Sequence, residues 1–167
     1  GLVGSEMCIR DSSQIELRVL AHLSRDPVLI DAFARGEDIH SRTAAELFGI
    51  ESSEVNPDQR RAAKVVNFGV IYGMSPHGLS RALRIDRDKA ASFIDRYFER
   101  YEGVKAYLDG IVEEGLRTGE VRTLIGRRKL VRGLDSSNHA AREAVKRAVI
   151  NAPVQGSAAD IIKTAMV

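Results

Sequence analysis

Residues 56–73 read NPDQRRAAKVVNFGVIYG, and this stretch predicts the central helix of the chain. Asn56 is a favourable N-cap and Pro57 suits the first helical position, where its missing N–H is not needed. Asp58 in the first turn favours the positive end of the helix dipole. Gly73 then provides the stop. The local sequence therefore predicts both the start and the end of this helix.

Every fourth residue along this helix is a cation or an aromatic ring. A step of four residues advances a helix by roughly 400°, so the row drifts by only about 40° per step and spans roughly 18 Å. Such a row suits a ligand with phosphates at one end and a flat ring at the other. A half-buried amphipathic helix with snorkelling cations would show the same pattern, and both interpretations stay open. We call this row the cation–aromatic stripe: Arg60, Lys64, Phe68 and Tyr72.

The composition is that of an ordinary globular protein. Among 167 residues, 44% are hydrophobic and 29% are charged, which excludes wholesale disorder and fits one domain or one lobe of a larger one. A net charge of +2 says little about partners. Cys8 is the single cysteine, so an internal disulfide is excluded and a reducing, cytoplasmic location is expected. No apolar run reaches the length of a membrane span.

Local patterns predict a mainly α fold with a small antiparallel β contribution, in the α+β class. Residues 1–10 show no period and receive no role; they read as a frayed end or as a head foreign to the rest of the chain. Helices are predicted from Ser13, over 27–36 and 38–49, from Ser75 to about Arg84, and from Asp86 to Gly119 with an interruption at Gly103. A hairpin is predicted from 121–125 and 129–131, followed by a helix that breaks before Pro153 and a last helix from about 155 to 167.

Three further groups of polar residues have two interpretations each. Asp11 stands at the foot of the first helix, as an N-cap or as a ligand for a hard cation such as Mg²⁺. A row at steps of four near the end of the chain is the polar face of a helix or a contact surface: Arg147, Asn151 and Gln155. The hairpin cations form a solvated face or touch a DNA backbone: Arg122, Arg127, Arg128, Lys129 and Arg132.

The motifs together resemble the bacterial family A DNA polymerases. The resemblance rests on DSSQIELRVLAHLS (11–24) and RRAAKVVNFGVIYG (60–73), with DIHSRTAAELFG, TLIGRRK and INAPVQGSAADIIK in the same order, and runs from Asp11 to Val167 without a break. It implies a partial palm at 11–24 and fingers at 25–118 with a nucleotide-binding helix at 57–72. It also implies a hairpin and helices of the palm at 119–167.

The resemblance implies a catalytic centre on the first palm motif. Asp11 would be one of two aspartates that hold the catalytic Mg²⁺ pair. Gln14 would border the triphosphate. Glu16 would lie under the sugar, exclude a ribose 2′-OH and hydrogen bond to Tyr72.

It also assigns roles along the stripe. His40 and Arg60 would hold the outer phosphates of the nucleotide. Lys64 would contact the phosphate nearest the reaction and protonate the leaving pyrophosphate, a catalytic role. Phe68 would pack on the sugar and base, and Tyr72 would stack near the templating base.

The implied function is template-directed addition of deoxynucleotides to a primer 3′ end, in DNA replication or repair. Arg147, Asn151 and Gln155 would line the minor groove of the primer–template DNA. The expected parent is a monomeric, cytoplasmic, Mg²⁺-dependent enzyme without membrane contact. A phage-like single-subunit RNA polymerase is the alternative, although Glu16 would clash with a ribose 2′-OH. A non-catalytic nucleic-acid-binding remnant is the third.

The sequence departs from the family at the metal site. Ser12 stands where the family has an aromatic residue, and the second metal aspartate belongs to a later His-Asp motif that these 167 residues do not contain. The chain therefore reads as a fragment of a longer polymerase. We expect the 167 residues alone to be inactive. Primer extension by the purified chain above a control without enzyme would contradict this expectation.

Overall fold

A computed structural model describes residues 13–166, and this part of the chain is mainly helical. The one sheet found there has two antiparallel strands, which confirms the predicted fold class. No helix in residues 13–166 is long and apolar enough to cross a membrane. The elements are α1 Ser13–Ser24, α2 Pro27–Ala34, α3 Ile39–Phe48, a short 3₁₀ helix Ser52–Glu54, α4 Pro57–Ile71, α5 Pro76–Leu83, α6 Arg87–Arg100, α7 Glu102–Thr118, β1 Glu120–Arg122, β2 Arg128–Leu130 and α8 His139–Ala165.

Side-chain caps begin four of these helices where the sequence predicts them. In each, a side-chain oxygen accepts a hydrogen bond from a backbone N–H of the first turn, worth about 1 kcal/mol. At the start of α4 the cap is reciprocal, because Gln59 also accepts from the backbone N–H of Asn56 at 2.9 Å. These four capping residues are Asp26, Asp38, Asn56 and Ser75, and Asn138 caps α8 in the same way.

The predicted break before Pro153 is wrong, since α8 runs unbroken from His139 to Ala165. An interior proline lacks the N–H that the helix uses and costs about 3 kcal/mol. Here the residues on both sides of Pro153 face the core, with Val149 2% and Val154 0% exposed. Burying both halves outweighs the local cost. A local sequence pattern shows the proline, but it does not show that the residues on both sides of it are buried.

The predicted interruption at Gly103 is also displaced. Helix α6 ends and α7 begins at Tyr101, and Gly103 lies inside the first turn of α7. Its function is close packing: a Cβ at Gly103 would lie 2.9 Å from the Cα of Asp26. Only a residue without a side chain fits this approach.

The helices pack in two groups around one continuous core. Helices α1, α7 and α8 contact one another, and β1 packs on α7 and α8. Helix α3 packs along α4 and also contacts α6, and α5 packs on α6. Helix α2 lies against both α1 and α3. The first group begins with residues predicted as palm, and the second lies within the predicted fingers.

The hairpin is shorter than predicted. Its register pairs Glu120 with Leu130, Val121 with Lys129 and Arg122 with Arg128, so residues 123–127 form the turn rather than strand. Val121 is fully buried, whereas β2 is exposed throughout. Within the two strands, Val121 is therefore the side chain that packs into the core.

Tyrosine hydroxyls are concentrated in the interior. Tyr97 and Tyr101 are 1% and 0% exposed, and their ring centroids lie 4.7 Å apart. Within the described residues, the hydroxyl of Tyr97 has no hydrogen-bond partner. Burial raises the pKa of Tyr72, Tyr97, Tyr101 and Tyr107, which are the four tyrosines of the chain.

These raised pKa values predict a loss of stability in alkali. An unfolded tyrosine ionises near pH 10, whereas the folded chain resists ionisation. The unfolded state then binds fewer protons, so the free energy of unfolding is retained below about pH 10 and falls as the pH rises above it. Urea unfolding at a series of pH values measures this.

Tyr97→Phe is the matched variant. It removes an ionisable hydroxyl that has no partner in the described structure, so we expect unchanged or higher stability at neutral pH and a shallower fall in alkali. A fall as steep as that of the unaltered chain would contradict the assignment to buried tyrosine.

Candidate nucleotide-binding face

Helix α4 has two distinct faces. One face packs into the core, and its residues are at most 5% exposed: Ala63, Val66, Asn67, Val70 and Ile71. The cation–aromatic stripe lies outside that face, with Arg60 exposed and Lys64, Phe68 and Tyr72 half-buried. The stripe therefore lies at least partly on the surface, while the other face holds the helix in place.

The cationic end of the stripe lies beside the start of α3. The Nε of Arg60 is 2.6 Å from Oδ2 of Asp38, and the two side chains are 44% and 39% exposed. Asp38 also accepts from the backbone N–H of His40 at 3.0 Å. Burial alone would raise the pKa of the Asp38 carboxyl. Hydrogen bonds from Arg60 and from the backbone outweigh this and hold the pKa below its ordinary value.

The aromatic end forms a row of rings. The Phe68 and Tyr72 centroids lie 6.0 Å apart with ring planes 26° from parallel. The centroid of the His40 ring lies 5.9 Å from that of Phe68. Lys64 lies between Arg60 and Phe68 along the helix, so the cationic end and the rings are adjacent.

The hydrogen bond expected between Glu16 and Tyr72 is present. The Tyr72 hydroxyl donates to Oε2 of Glu16 at 2.8 Å, which joins α1 to the end of α4. Burial raises the pKa of the Tyr72 hydroxyl and the Glu16 carboxylate raises it further, whereas the Gln155 side chain lowers it. Residues from α1, α4 and α8 thus meet at this hydroxyl.

The first palm motif is only partly described. Gln14 is exposed in the first turn of α1, and Glu16 is half-buried. Asp11 lies outside the described residues, so its role as a metal ligand stays a prediction. Within residues 13–166, no group of three or more His, Cys, Asp or Glu side chains could hold a metal ion. The described residues alone do not make a Mg²⁺ site.

His40 is more deeply placed than a surface phosphate ligand would be. It is 3% exposed, and its Nδ1 lies 3.0 Å from Nδ2 of Asn67. Sequence reasoning missed Asn67, which is fully buried on the inner face of α4. The available signal was an amide among the apolar positions of an amphipathic helix.

The polar row on α8 lies beside the end of α4. Gly73, at φ +62°, allows close packing there, because a Cβ would lie 3.1 Å from Cγ of Arg147. Asn151 and Gln155 line a cleft of about 370 Å³ with three of the hairpin cations. Oδ1 of Asn151 is buried without a hydrogen-bond partner among the described residues. The structure therefore brings two of the predicted DNA-binding residues and part of the hairpin together.

Several hairpin cations already have acidic partners. Nη2 of Arg127 lies 2.9 Å from Oδ1 of Asp160, whose side chain is 6% exposed, and it also donates to the Gly156 carbonyl at 3.0 Å. Arg122 and Arg128 pair with Glu120. Arg127 is thus a structural tie between the hairpin and α8.

We expect Arg127→Ala to lower the free energy of unfolding by about 2 kcal/mol, because it leaves the buried Asp160 carboxylate without its cation. Arg128→Ala breaks an exposed pair and should cost less than about 0.5 kcal/mol. Chemical denaturation of both variants measures the difference. Equal losses in the free energy of unfolding would show that the pair of Arg127 with buried Asp160 contributes no more than the exposed pair of Arg128.

Comparison with known proteins places the chain in one family. The sequence model of DNA polymerase family A matches residues 3–167. The thermostable DNA polymerase I of Thermus thermophilus is 52% identical over 98% of this chain, and the DNA polymerase I of Pseudomonas aeruginosa is 49% identical over 98%. The chain spans 20% and 18% of these two relatives.

A solved structure agrees with the sequence relatives. The polymerase domain of Pol1 from M. smegmatis, in complex with a DNA primer–template and dNTP, superposes with a TM-score of 0.87 at 48% identity. The match covers 92% of this chain and 27% of that one. From its sequence and its fold alike, the chain belongs to DNA polymerase family A.

Proposed function

We propose that this chain is the nucleotide-binding part of an enzyme that carries out template-directed DNA synthesis. The observation that carries the proposal is the cation–aromatic stripe, with Arg60 at one end and the Tyr72–Glu16 hydrogen bond at the other. Family membership and the relatives named DNA polymerase I support it. In this proposal the incoming ligand is a deoxynucleoside triphosphate laid along α4.

The triphosphate would occupy the cationic end. Arg60 can offer a planar fork to one phosphate, and Lys64 a point charge to the next. Phosphoryl transfer depends more on positioning and charge neutralisation than on covalent chemistry by the protein. Lys64, closest to the rings, is suited to protonate the leaving pyrophosphate.

The sugar and base would occupy the aromatic end. Phe68 offers a ring without a hydroxyl for the sugar and base, and Tyr72 lies next along the helix. Glu16 is fixed by its hydrogen bond to Tyr72, so its carboxylate cannot easily move away from a 2′-OH. This favours deoxynucleotides and disfavours the RNA polymerase alternative.

The polar row on α8 would contact primer–template DNA. The minor groove presents an acceptor on every base pair, at adenine N3 or thymine O2 and their equivalents. Donors from Arg147, Asn151 and Gln155 could therefore read the shape of a correct pair without reading its sequence. This suits an enzyme that must copy any template.

The proposed enzyme would use Mg²⁺, which neutralises charge on the transferring phosphate when it is bound. Asp11 is proposed as one ligand. The described residues alone do not complete a metal site. The cytoplasmic location and monomeric state remain parts of the proposal.

We expect Lys64→Ala to slow nucleotide incorporation by about 100-fold, because it removes the proposed proton donor. The test is single-turnover incorporation by a chimera in which this chain replaces the matching segment of the Thermus thermophilus relative. Lys105→Ala, at an exposed position of α7, is the matched control and should leave the rate unchanged. Arg127→Ala should slow the reaction far less than Lys64→Ala while lowering stability.

Two results would count against the proposal. Equal rates for Lys64→Ala and Lys105→Ala would remove Lys64 from the chemistry. Absence of incorporation by the unaltered, folded chimera would overturn the proposed function as a whole.

A further inference from the structure

The turn of the β1–β2 hairpin lies directly on helix α8. Gly156 permits this close approach, because a Cβ there would lie 2.6 Å from Cγ2 of Thr123 and 3.2 Å from Nη2 of Arg127. The hairpin and this part of α8 form the two walls of the cleft of about 370 Å³ described above. The position of the hairpin on α8 therefore sets the shape of that cleft.

Polar contacts hold the turn in place. Leu124 and Ile125 are 43% and 70% exposed, so their side chains add little to the core. The backbone N–H of Leu124 donates to Oγ of Ser157 at 2.9 Å. The Ser157 hydroxyl gives its single hydrogen to the carbonyl of Pro153, so its oxygen remains an acceptor for Leu124.

Asp160 holds the turn at a second point. Its side chain is 6% exposed, with Oδ1 at 2.9 Å from Nη2 of Arg127 and Oδ2 at 3.5 Å from Nε of the same guanidinium group. A carboxylate buried without its cation is strongly unfavourable, so this pair resists separation. The three residues of α8 that receive the turn lie within about 100° of one another around the helix. We call them the hairpin clamp: Gly156, Ser157 and Asp160.

The ion pairs decide which hairpin cation has a charge to offer a ligand. Three hairpin cations line the cleft: Arg127, Arg128 and Lys129. Arg127 pairs with Asp160, and Arg128 pairs with Glu120. Lys129 forms no ion pair with any residue between 13 and 166. Lys129 is therefore the cation of this cleft whose charge is not already balanced by a described neighbour.

Lys129 lies on the face of the hairpin that is turned toward α8. Its partner in the register is Val121, which is fully buried. Directly opposite residues of an antiparallel pair place their side chains on the same face, and Lys129 lines the cleft together with Asn151 and Gln155. An ammonium group on one wall and two amides on the other suit a nucleic-acid strand, with a phosphate at the first and base edges at the second.

We propose that Asp160 and Ser157 are positioning residues for primer–template DNA, acting through Lys129. They hold the hairpin on α8 so that the Lys129 ammonium group faces a backbone phosphate of the strand whose base edges meet Asn151 and Gln155. This rests on the proposed function, which places those two amides at the minor groove. Asp160 is buried and does not itself touch the DNA.

The direction of the effect separates positioning from general electrostatics. Replacing Asp160 by an uncharged residue raises the net charge of the chain by one, so general attraction to DNA predicts tighter binding. Loss of the Lys129 position predicts weaker binding and one phosphate contact fewer. Each phosphate contact contributes about 0.9 to the slope of log affinity against log salt concentration. The slope therefore reports the contact that the proposal requires.

The first test measures primer–template affinity by fluorescence anisotropy at several salt concentrations, in the chimera that carries this chain. We expect Lys129→Ala to weaken binding and to reduce the slope by about 0.9. Asp160→Leu should do the same in spite of the added positive charge, and the double variant should lose little more than either single one. Tighter binding by Asp160→Leu, or additive losses in the double variant, would overturn the proposal.

Two variants control for charge and for stability. Glu113→Gln makes the same change in net charge at an exposed position of α7, and it should lower neither the affinity nor the slope. Tyr101→Phe removes a buried hydroxyl that lies 3.3 Å from Oγ1 of Thr43, at the end of α7 opposite the hairpin. It should lower stability and leave the slope unchanged. A reduced slope in Tyr101→Phe would mean that lower stability alone explains the effect of Asp160→Leu, and the proposal would fail.

The second test needs no variant. Lysines of the unaltered chimera are acetylated with and without primer–template DNA, and mass spectrometry gives the extent of modification at each position. We expect DNA to protect Lys129 and to leave Lys105, exposed on α7, as reactive as before. Equal acetylation of Lys129 with and without DNA would overturn the proposal. If the same chimera still incorporates nucleotides, the proposed function stands while this inference fails.

Discussion

One buried carboxylate joins α2, the helix that contacts both packing groups, to the start of α7. Asp26 is 1% exposed, and its Oδ1 accepts from the backbone N–H groups of residues 28 and 29 at 3.0 Å. Its Oδ2 accepts from the backbone N–H of Gly103, also at 3.0 Å. Hydrogen bonds to a charged group contribute about 1.5–3 kcal/mol each. Asp26 thereby fixes the start of α2 against the start of α7, and α2 in turn packs on both α1 and α3. Because α3 packs along α4, this arrangement supports the 2.8 Å contact between Glu16 on α1 and Tyr72 at the end of α4.

Local rules predicted the starts of the helices because a cap is decided within four residues. The Asp–Pro, Asn–Pro and Ser–Pro pairs before α2, α4 and α5 each carry their own hydrogen-bond acceptor and their own fixed φ. The same rules failed at Pro153 and Gly103, where the outcome depends on distant residues. Pro153 stays in a helix because both flanks are buried, and Gly103 is needed because Asp26, 77 residues earlier, approaches its backbone. The sequence next to Pro153 or Gly103 does not indicate either of these tertiary contacts.

In the candidate site, too, local patterns were predicted from the sequence, whereas contacts between distant residues were not. Periodicity alone placed the four residues of the stripe on one side of α4, and the family resemblance supplied the pairing of Glu16 with Tyr72. Neither could indicate that Asn67 and His40 meet, since they lie on different helices, 27 residues apart. The pairing of Arg127 with Asp160 was hidden for the same reason, and a basic run that suggested DNA contact proved to be partly structural. The sequence shows which residues carry charge, but the fold decides which of them form ion pairs.

The contact of Arg60 with Asp38 explains how the cationic end could be ready for a ligand before one arrives. Asp38 keeps its charge near neutral pH because hydrogen bonds hold its pKa low, so it attracts the guanidinium to the phosphate end of α4. Both side chains are partly exposed, and such pairs contribute at most about 1 kcal/mol. A triphosphate brings several negative charges and can accept both arms of the guanidinium. Exchanging Asp38 for phosphate would then cost little, and Asp38 would still cap α3 through the N–H groups of His40 and Ser41. In the proposed function, Asp38 would thus hold Arg60 in position without competing strongly for it, which would lower the conformational entropy lost on nucleotide binding.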